Sequence, residues 1–213
     1  MKKLTPLSIL TATIGLSFAS VAVEIPKQII TKHNAGLNGD ASANQNVVDA
    51  LQALAKEDTT DAMLYSLLGS SETAHARYVD QPWQKIKFAE KGLAHLDKSL
   101  NLLKRPDTAP NITFQVTTTA ACTFIKVPSM FNRFEQGYGL IQGLVSAPGF
   151  AYAPARAKVG AYLCAIEAAT KAKNATQALA FIEQVNKIAP KGSHIKALEK
   201  FKAQNTELAQ AGE

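Results

Sequence analysis

An all-α fold is what this sequence predicts, and three observations carry the prediction. Apolar residues recur at intervals of three and four through eight successive segments, the spacing of a one-sided helix. Those segments begin at Asn, Thr, Asp, Ser or Pro and several end at Pro or Gly, the residues that start and stop helices. Pro106, Pro148 and Pro190 follow alternate segments at equal intervals of 42 residues, a period in the range of stacked helical pairs.

The N-terminus reads as a cleavable secretory signal over residues 1–22. Lys2 and Lys3 form a positive start, no charge occurs from Leu7 to Val23, and Ser20 and Ala22 stand where a signal peptidase reads small residues. The competing reading is an uncleaved anchor. A spanning helix needs about 20 predominantly apolar residues, and Ser8, Thr11, Thr13, Gly15, Ser17 and Ser20 dilute this stretch. No cysteine lies near the cut, so a lipid anchor on a new N-terminal Cys is excluded. Cleavage after Ala22 leaves 191 of the 213 residues, and the net charge falls from +6 to +4 as Lys2 and Lys3 are lost. That length suits one domain. The weak positive charge, without a dense Lys/Arg block, argues against nucleic acid. No later apolar run is long enough to span a bilayer. The expectation is a periplasmic chain with no stable membrane insertion after cleavage.

Residues 23–45 read as a flexible N-terminal arm, with Pro26, Lys32-His33-Asn34, Gly36, Gly39 and a run of small polar residues, pinned at most by Ile25, Ile29 and Ile30. The helical domain is expected over residues 46–211. Val47, Val48, Leu51 and Leu54 form the first helical stripe, capped by Asn44 or Asn46. Thr60 or Asp61 caps the second, with Met63, Leu64, Leu67 and Leu68. Pro82 opens the third, where a first-turn proline lacks only an N–H that had no partner; Phe88, Leu93, Leu96, Leu100 and Leu103 carry it to Lys104-Arg105, and Pro106 stops it. Pro110 opens the fourth, which runs to Val127 before Pro128; Thr117-Thr118-Thr119 weakens it, and a buried strand is the alternative there. The fifth spans Arg133 to Ala147, the sixth starts at Pro154, the seventh is capped by Asn174 and the eighth by Ser193.

A helix pair cannot bury both its apolar faces alone, so pairs stack and share one core. Ala178, Ile182, Val185 and Pro190 fall at intervals of 4, 3 and 5. Gln136, Leu140, Gly143 and Pro148 repeat that spacing, and Gly92, Leu96 and Ser99 do so in part, with Tyr65 and Leu68-Gly69 on a preceding helix. In these residues the chain resembles the tetratricopeptide-repeat family over roughly residues 60–190, in a divergent form similar to uncharacterised exported bacterial helical-repeat proteins. The 42-residue period exceeds that family's usual 34 and implies longer helices or turns. The resemblance implies an α-α superhelix of about three helix pairs with flanking helices. It also implies a concave surface for a protein or peptide segment, with Ser66, Ser70 and Thr73 as candidate contacts.

Cys122 and Cys164 are the only cysteines. An even pair in an exported chain reads as a candidate disulfide, with two buried thiols as the alternative. Within a repeat array both fall on the first helices of adjacent units, where a bridge would staple neighbours. Cys122 could otherwise serve as a nucleophile with His75 or His95 as base, but no signature surrounds it. His33, His75, His95 and His194 show no metal-ligand spacing, and no Gly-rich phosphate loop is present, so neither metal nor other cofactor is expected. Trp83, the only tryptophan, reads as a ring packed on the end of a helix pair, with an exposed partner contact as the alternative. Together these features suggest a non-enzymatic periplasmic adaptor or assembly factor that binds protein. An enzyme of unrecognised type would instead show polar residues converging in a pocket, and a small-ligand or envelope-surface binder a deep apolar pocket.

Overall fold

The computed structural model describes residues 25–192 and 195–210. The signal segment and Ser193 lie outside the described residues. Nine helices and no strand occur among those described: α1 Lys27–Leu37, α2 Ala41–Glu57, α3 Ala62–His75, α4 Pro82–Leu102, α5 Pro110–Lys126, α6 Phe134–Ser146, α7 Ala155–Lys171, α8 Ala175–Ile188 and α9 Ile195–Gln210. The protein is all-α, as its apolar spacing predicts.

The caps explain most boundaries. Asp61 accepts from the Leu64 amide at 3.0 Å and starts α3, Asn174 does the same for α8 through Gln177 at 3.0 Å, and Pro82 occupies the first turn of α4. The Thr-rich segment is helical rather than a strand. Its hydroxyls turn back onto the preceding turn, Thr118 to the Phe114 carbonyl and Thr123 to that of Thr119, each at 2.8 Å, so β-branched residues satisfy their polar atoms inside the helix. Pro148 does more than end α6. It opens a short 3₁₀ turn, Pro148–Tyr152, that carries Phe150 into the core.

Residues 23–45 depart from expectation. The expected flexible arm holds a docked helix, α1, with Ile29, His33 and Gly36 buried. Gly39, at φ +114°, makes the turn into α2, a backbone region open mainly to glycine. Asp40 then caps α2 by accepting from the Ala43 amide at 2.9 Å, so α2 begins earlier than the Asn44 or Asn46 caps would allow. Composition misled because α1 is held by polar contacts from α3 and the turn after it, which no local periodicity reports.

Each helix packs on the next, and the odd-numbered helices also touch in series, α1 on α3, α3 on α5 and α5 on α7. The even-numbered helices make no more than marginal contact with one another. The core is correspondingly a row of clusters. Ile29, Val47, Leu51, Leu64 and Leu68 join α1, α2 and α3; Leu93, Leu96, Ala120 and Phe124 join α4 and α5. Ala121, Ile125, Ile141, Phe150 and Ala165 join α5, α6 and α7, and Ile166, Ile182, Val185 and Leu198 join α7, α8 and α9. Pro106, Pro148 and Pro190 each follow an even-numbered helix.

Candidate functional site

The candidate contact residues Ser66, Ser70 and Thr73 lie on a helix that its neighbours cover. Ser66 is 0% and Ser70 2% exposed, and Thr73 is half-buried. Their hydroxyls bond back to their own helix, Ser66 to the Met63 carbonyl at 2.9 Å, Ser70 to that of Leu67 at 3.1 Å and Thr73 to that of Gly69 at 2.8 Å. The reason is the position of α3, which packs against α1, α2, α4 and α5 and so is covered nearly all round. Small residues are needed on it. A Cβ added at Gly69 would lie 2.6 Å from the Gly92 carbonyl oxygen, so the α3 and α4 backbones cross closer than any larger pair would allow.

Inside that covered helix sits one carboxylate, Glu72, with no exposure. Gln52 of α2 donates to its Oε1 at 2.8 Å, and Lys91 of α4 pairs with the same oxygen at 2.8 Å. His95 Nδ1, also on α4, meets Oε2 at 2.6 Å. Burial raises the Glu72 pKa, but the hydrogen bonds from His95, Lys91 and Gln52 and the charge of His95 outweigh it, leaving the carboxyl below its ordinary range. Glu72 is thus an anion that ties α2, α3 and α4 together where α2 and α4 make no more than marginal contact. The carboxylate orients the His95 ring with Nδ1–H toward it. The Tyr65 ring lies 5.5 Å from it, and Lys98 stands over Tyr65 at 3.7 Å. Caps and apolar spacing pass over Glu72, whose one legible signal is that it is the only acidic residue within Ala62–His75.

A second polar set lies where α1 meets α2 and α3. His33 Nδ1 meets the Ser71 hydroxyl at 2.9 Å, Asn44 donates to the Ser71 carbonyl at 3.0 Å, and His75 Nδ1 meets Asn44 Oδ1 at 2.8 Å. His75 also packs edge-on to Phe88, ring centroids 4.4 Å apart. Burial pushes the His33 pKa down to about 4, and burial lowers that of His75 against the opposing charges of Asp49 and Glu72. Both rings are neutral at pH 7. His33, His75 and His95 therefore serve separate contacts, and no three His, Cys, Asp or Glu side chains converge on one point among the described residues.

Cys122 of α5 and Cys164 of α7 stand at disulfide-bonding distance, with Cα atoms 5.5 Å apart. The pair spans two odd-numbered helices, as the repeat frame implied, and Cys122 is placed against Cys164 rather than against a histidine base.

Two surface features remain. Between α6 and α8 runs an open groove lined by Gly139, Gln142, Gly143, Gln177 and Phe181, among others. Gln177 Oε1 accepts from Tyr138 at 2.5 Å and from Gln142 at 3.1 Å. A Cβ added at Gly139 or Gly143 would meet nothing within 4 Å, so neither glycine is there to pack helices. Trp83, expected to favour a packed position, is 60% exposed and Ile86 beside it 39%. The reason is that α4 starts seven residues ahead of its first buried side chain, Ala89. No helix among the described residues is long and apolar enough to cross a membrane. No family model matches this chain, and comparisons with curated proteins and with solved structures give no match.

Proposed function

We propose that the chain is an exported, periplasmic adaptor whose paired helices form a tetratricopeptide-like array, and that it holds an extended segment of another protein in the α6–α8 groove. One observation carries the reading: Gly139 and Gly143, one turn apart, line an open groove beside the Gln142 and Gln177 side chains. Glycine inside a helix costs about 1 kcal/mol relative to alanine, and here that cost brings no helix packing in return. A groove floor without side chains lets a bound backbone approach closely, and amide groups suit the donors and acceptors of an extended peptide. The buried polar groups support the same reading, because Glu72, His33, His75 and His95 are engaged in joining helices. The series of contacts between odd-numbered helices supports the array, and a cysteine pair at bonding distance is compatible with an oxidising compartment.

The test fills the groove. A Cβ at either position meets nothing within 4 Å, so Gly139→Leu with Gly143→Leu should leave the melting temperature unchanged or raised, since leucine favours helix by roughly 1 kcal/mol per site. A partner cross-linked in periplasmic extract by a photoreactive group at Ser146 should be captured by the native chain and lost from the filled variant. Equal capture by both chains would exclude the groove, and loss of fold in the filled variant would exclude the geometry on which it rests.

A further inference from the structure

Three gaps separate α2, α4, α6 and α8, and polar side chains bridge each of them. In the first, both oxygens of Glu72 are taken, Oε1 by Gln52 and Lys91 and Oε2 by His95. In the second, both oxygens of Asp97 on α4 are taken by Arg133, which stands just before α6, at 3.0 and 2.7 Å. The third gap, between α6 and α8, differs. Gln177 Oε1 accepts from both Tyr138 and Gln142. That leaves Gln177 Nε2 and Gln142 Oε1 without a partner among the described residues, and both side chains line the groove. Turning both amides over exchanges the two roles and still presents one donor and one acceptor. The first two bridges are saturated; the third is not.

The geometry points to a main-chain clamp: Gln142 and Gln177 hold one residue of a bound extended segment by its own N–H and C=O, and an uncharged side chain of that segment seats against Val145 and Phe181. The inference rests on the reading of the α6–α8 groove as the seat of such a segment and names what is recognised there. In an extended chain the N–H and C=O of one residue face the same edge, so one donor and one acceptor side by side match that residue. Contacts of this kind give affinity without reading side chains. They also exclude proline at the clamped residue, because proline has no N–H to offer. The open floor at Gly139 and Gly143 lets the main chain come near enough to reach both amides. Charge selects the side chain. None of the residues lining the groove is ionisable, and the one charged residue of α6, Glu135, stands a turn before Gly139. A charged side chain entering here would lose water and gain no counter-charge.

The experiment uses the chain from Val23, which keeps every described element, and fluorescein-labelled capped pentapeptides of threonine and serine with leucine at the centre. Binding is read by fluorescence polarisation. N-methylation of the central leucine removes one N–H and should weaken binding by the native chain about tenfold, and a central glutamate should weaken it to a similar degree. Gln142→Met with Gln177→Met keeps side-chain length and helix propensity, so circular dichroism should be unchanged. That chain should bind the plain peptide more weakly and no longer distinguish it from the N-methylated one. A pair of amides that merely joined α6 to α8 would leave this discrimination untouched. Equal binding of the plain and N-methylated peptides by the native chain, equal binding of the leucine and glutamate peptides, or unchanged discrimination in the Gln142→Met, Gln177→Met chain would each overturn the clamp and leave the groove standing. Failure of the native chain to bind any of the peptides, or equal binding by the Gly139→Leu, Gly143→Leu chain, would overturn the groove itself and the clamp with it.

Discussion

Replacing His33 with glutamine should remove most of the acid sensitivity of the N-terminal end of the fold. The ring is 5% exposed, and burial holds its pKa at about 4 against an ordinary 6.5. A histidine whose pKa is depressed by folding binds its proton more readily when unfolded. Its contribution is therefore fully present above pH 6.5 and is lost as pH falls from 6.5 toward 4. The whole shift corresponds to about 3 kcal/mol. Between pH 7 and pH 5 the linkage relation assigns a loss of about 2 kcal/mol. The hydrogen bond to Ser71 does not set this cost, because a hydroxyl can accept from a charged ring as readily as it donates to a neutral one; removing the charge from water does. Glutamine keeps a polar partner for Ser71 and cannot be protonated in this range. The assay is urea unfolding at pH 7 and pH 5, with hydrogen exchange at the amides of Ile29 to Gly36. The native chain should lose about 2 kcal/mol more than the variant over that interval, and exchange should rise first in α1, which is otherwise held by Ile29, by Arg77 donating to the Leu37 carbonyl at 3.0 Å and by Tyr78 donating to that of Gly36 at 2.5 Å. Equal losses in the two chains would refute the reasoning, since His75, Asp49 and Glu72 are common to both.

Two further outcomes follow from the buried contacts. Glu72→Gln should lower stability by about 2 kcal/mol at pH 7 by weakening charge-assisted hydrogen bonds; because the native carboxyl lies below its ordinary pKa, the difference should shrink as acid protonates it, and a gap constant with pH would contradict the assignment of an anion there. Denatured but unreduced protein should show no free thiol, and Cys122→Ser with Cys164→Ser should cost about 4 kcal/mol on the chain-entropy account of a 42-residue loop; two titratable thiols would show the pair to be reduced.

Local signals were enough for α3 through α8 because their starts and stops are local chemistry: Asp61, Pro82, Pro110 and Asn174 act within a turn of where they stand. α1 resembles an arm in sequence because its amphipathic signal is interrupted by His33 and Gly36, residues whose roles depend on Ser71, 38 residues on, and on Asn44 of the next helix. The same limit hid the candidate sites. A family's usual geometry makes Ser66, Ser70 and Thr73 groove contacts, yet whether a face is groove or core depends on how many neighbours a helix has, and α3 has four. The habits of its residue type suggest a packed Trp83, but α4 begins seven residues before its first buried side chain, Ala89.

What the chain's order of residues determined alone is the kind of element and the punctuation between elements, because helix period, caps and prolines act over a few bonds. Tertiary structure decided which polar groups are spent inside and which remain outside. Glu72 became a buried tie between helices, and Gly69 a close crossing. Gly143, the same residue type, became open surface. That division depends on distances between segments far apart in the chain, and no pattern along one helix encodes how near its neighbour will come.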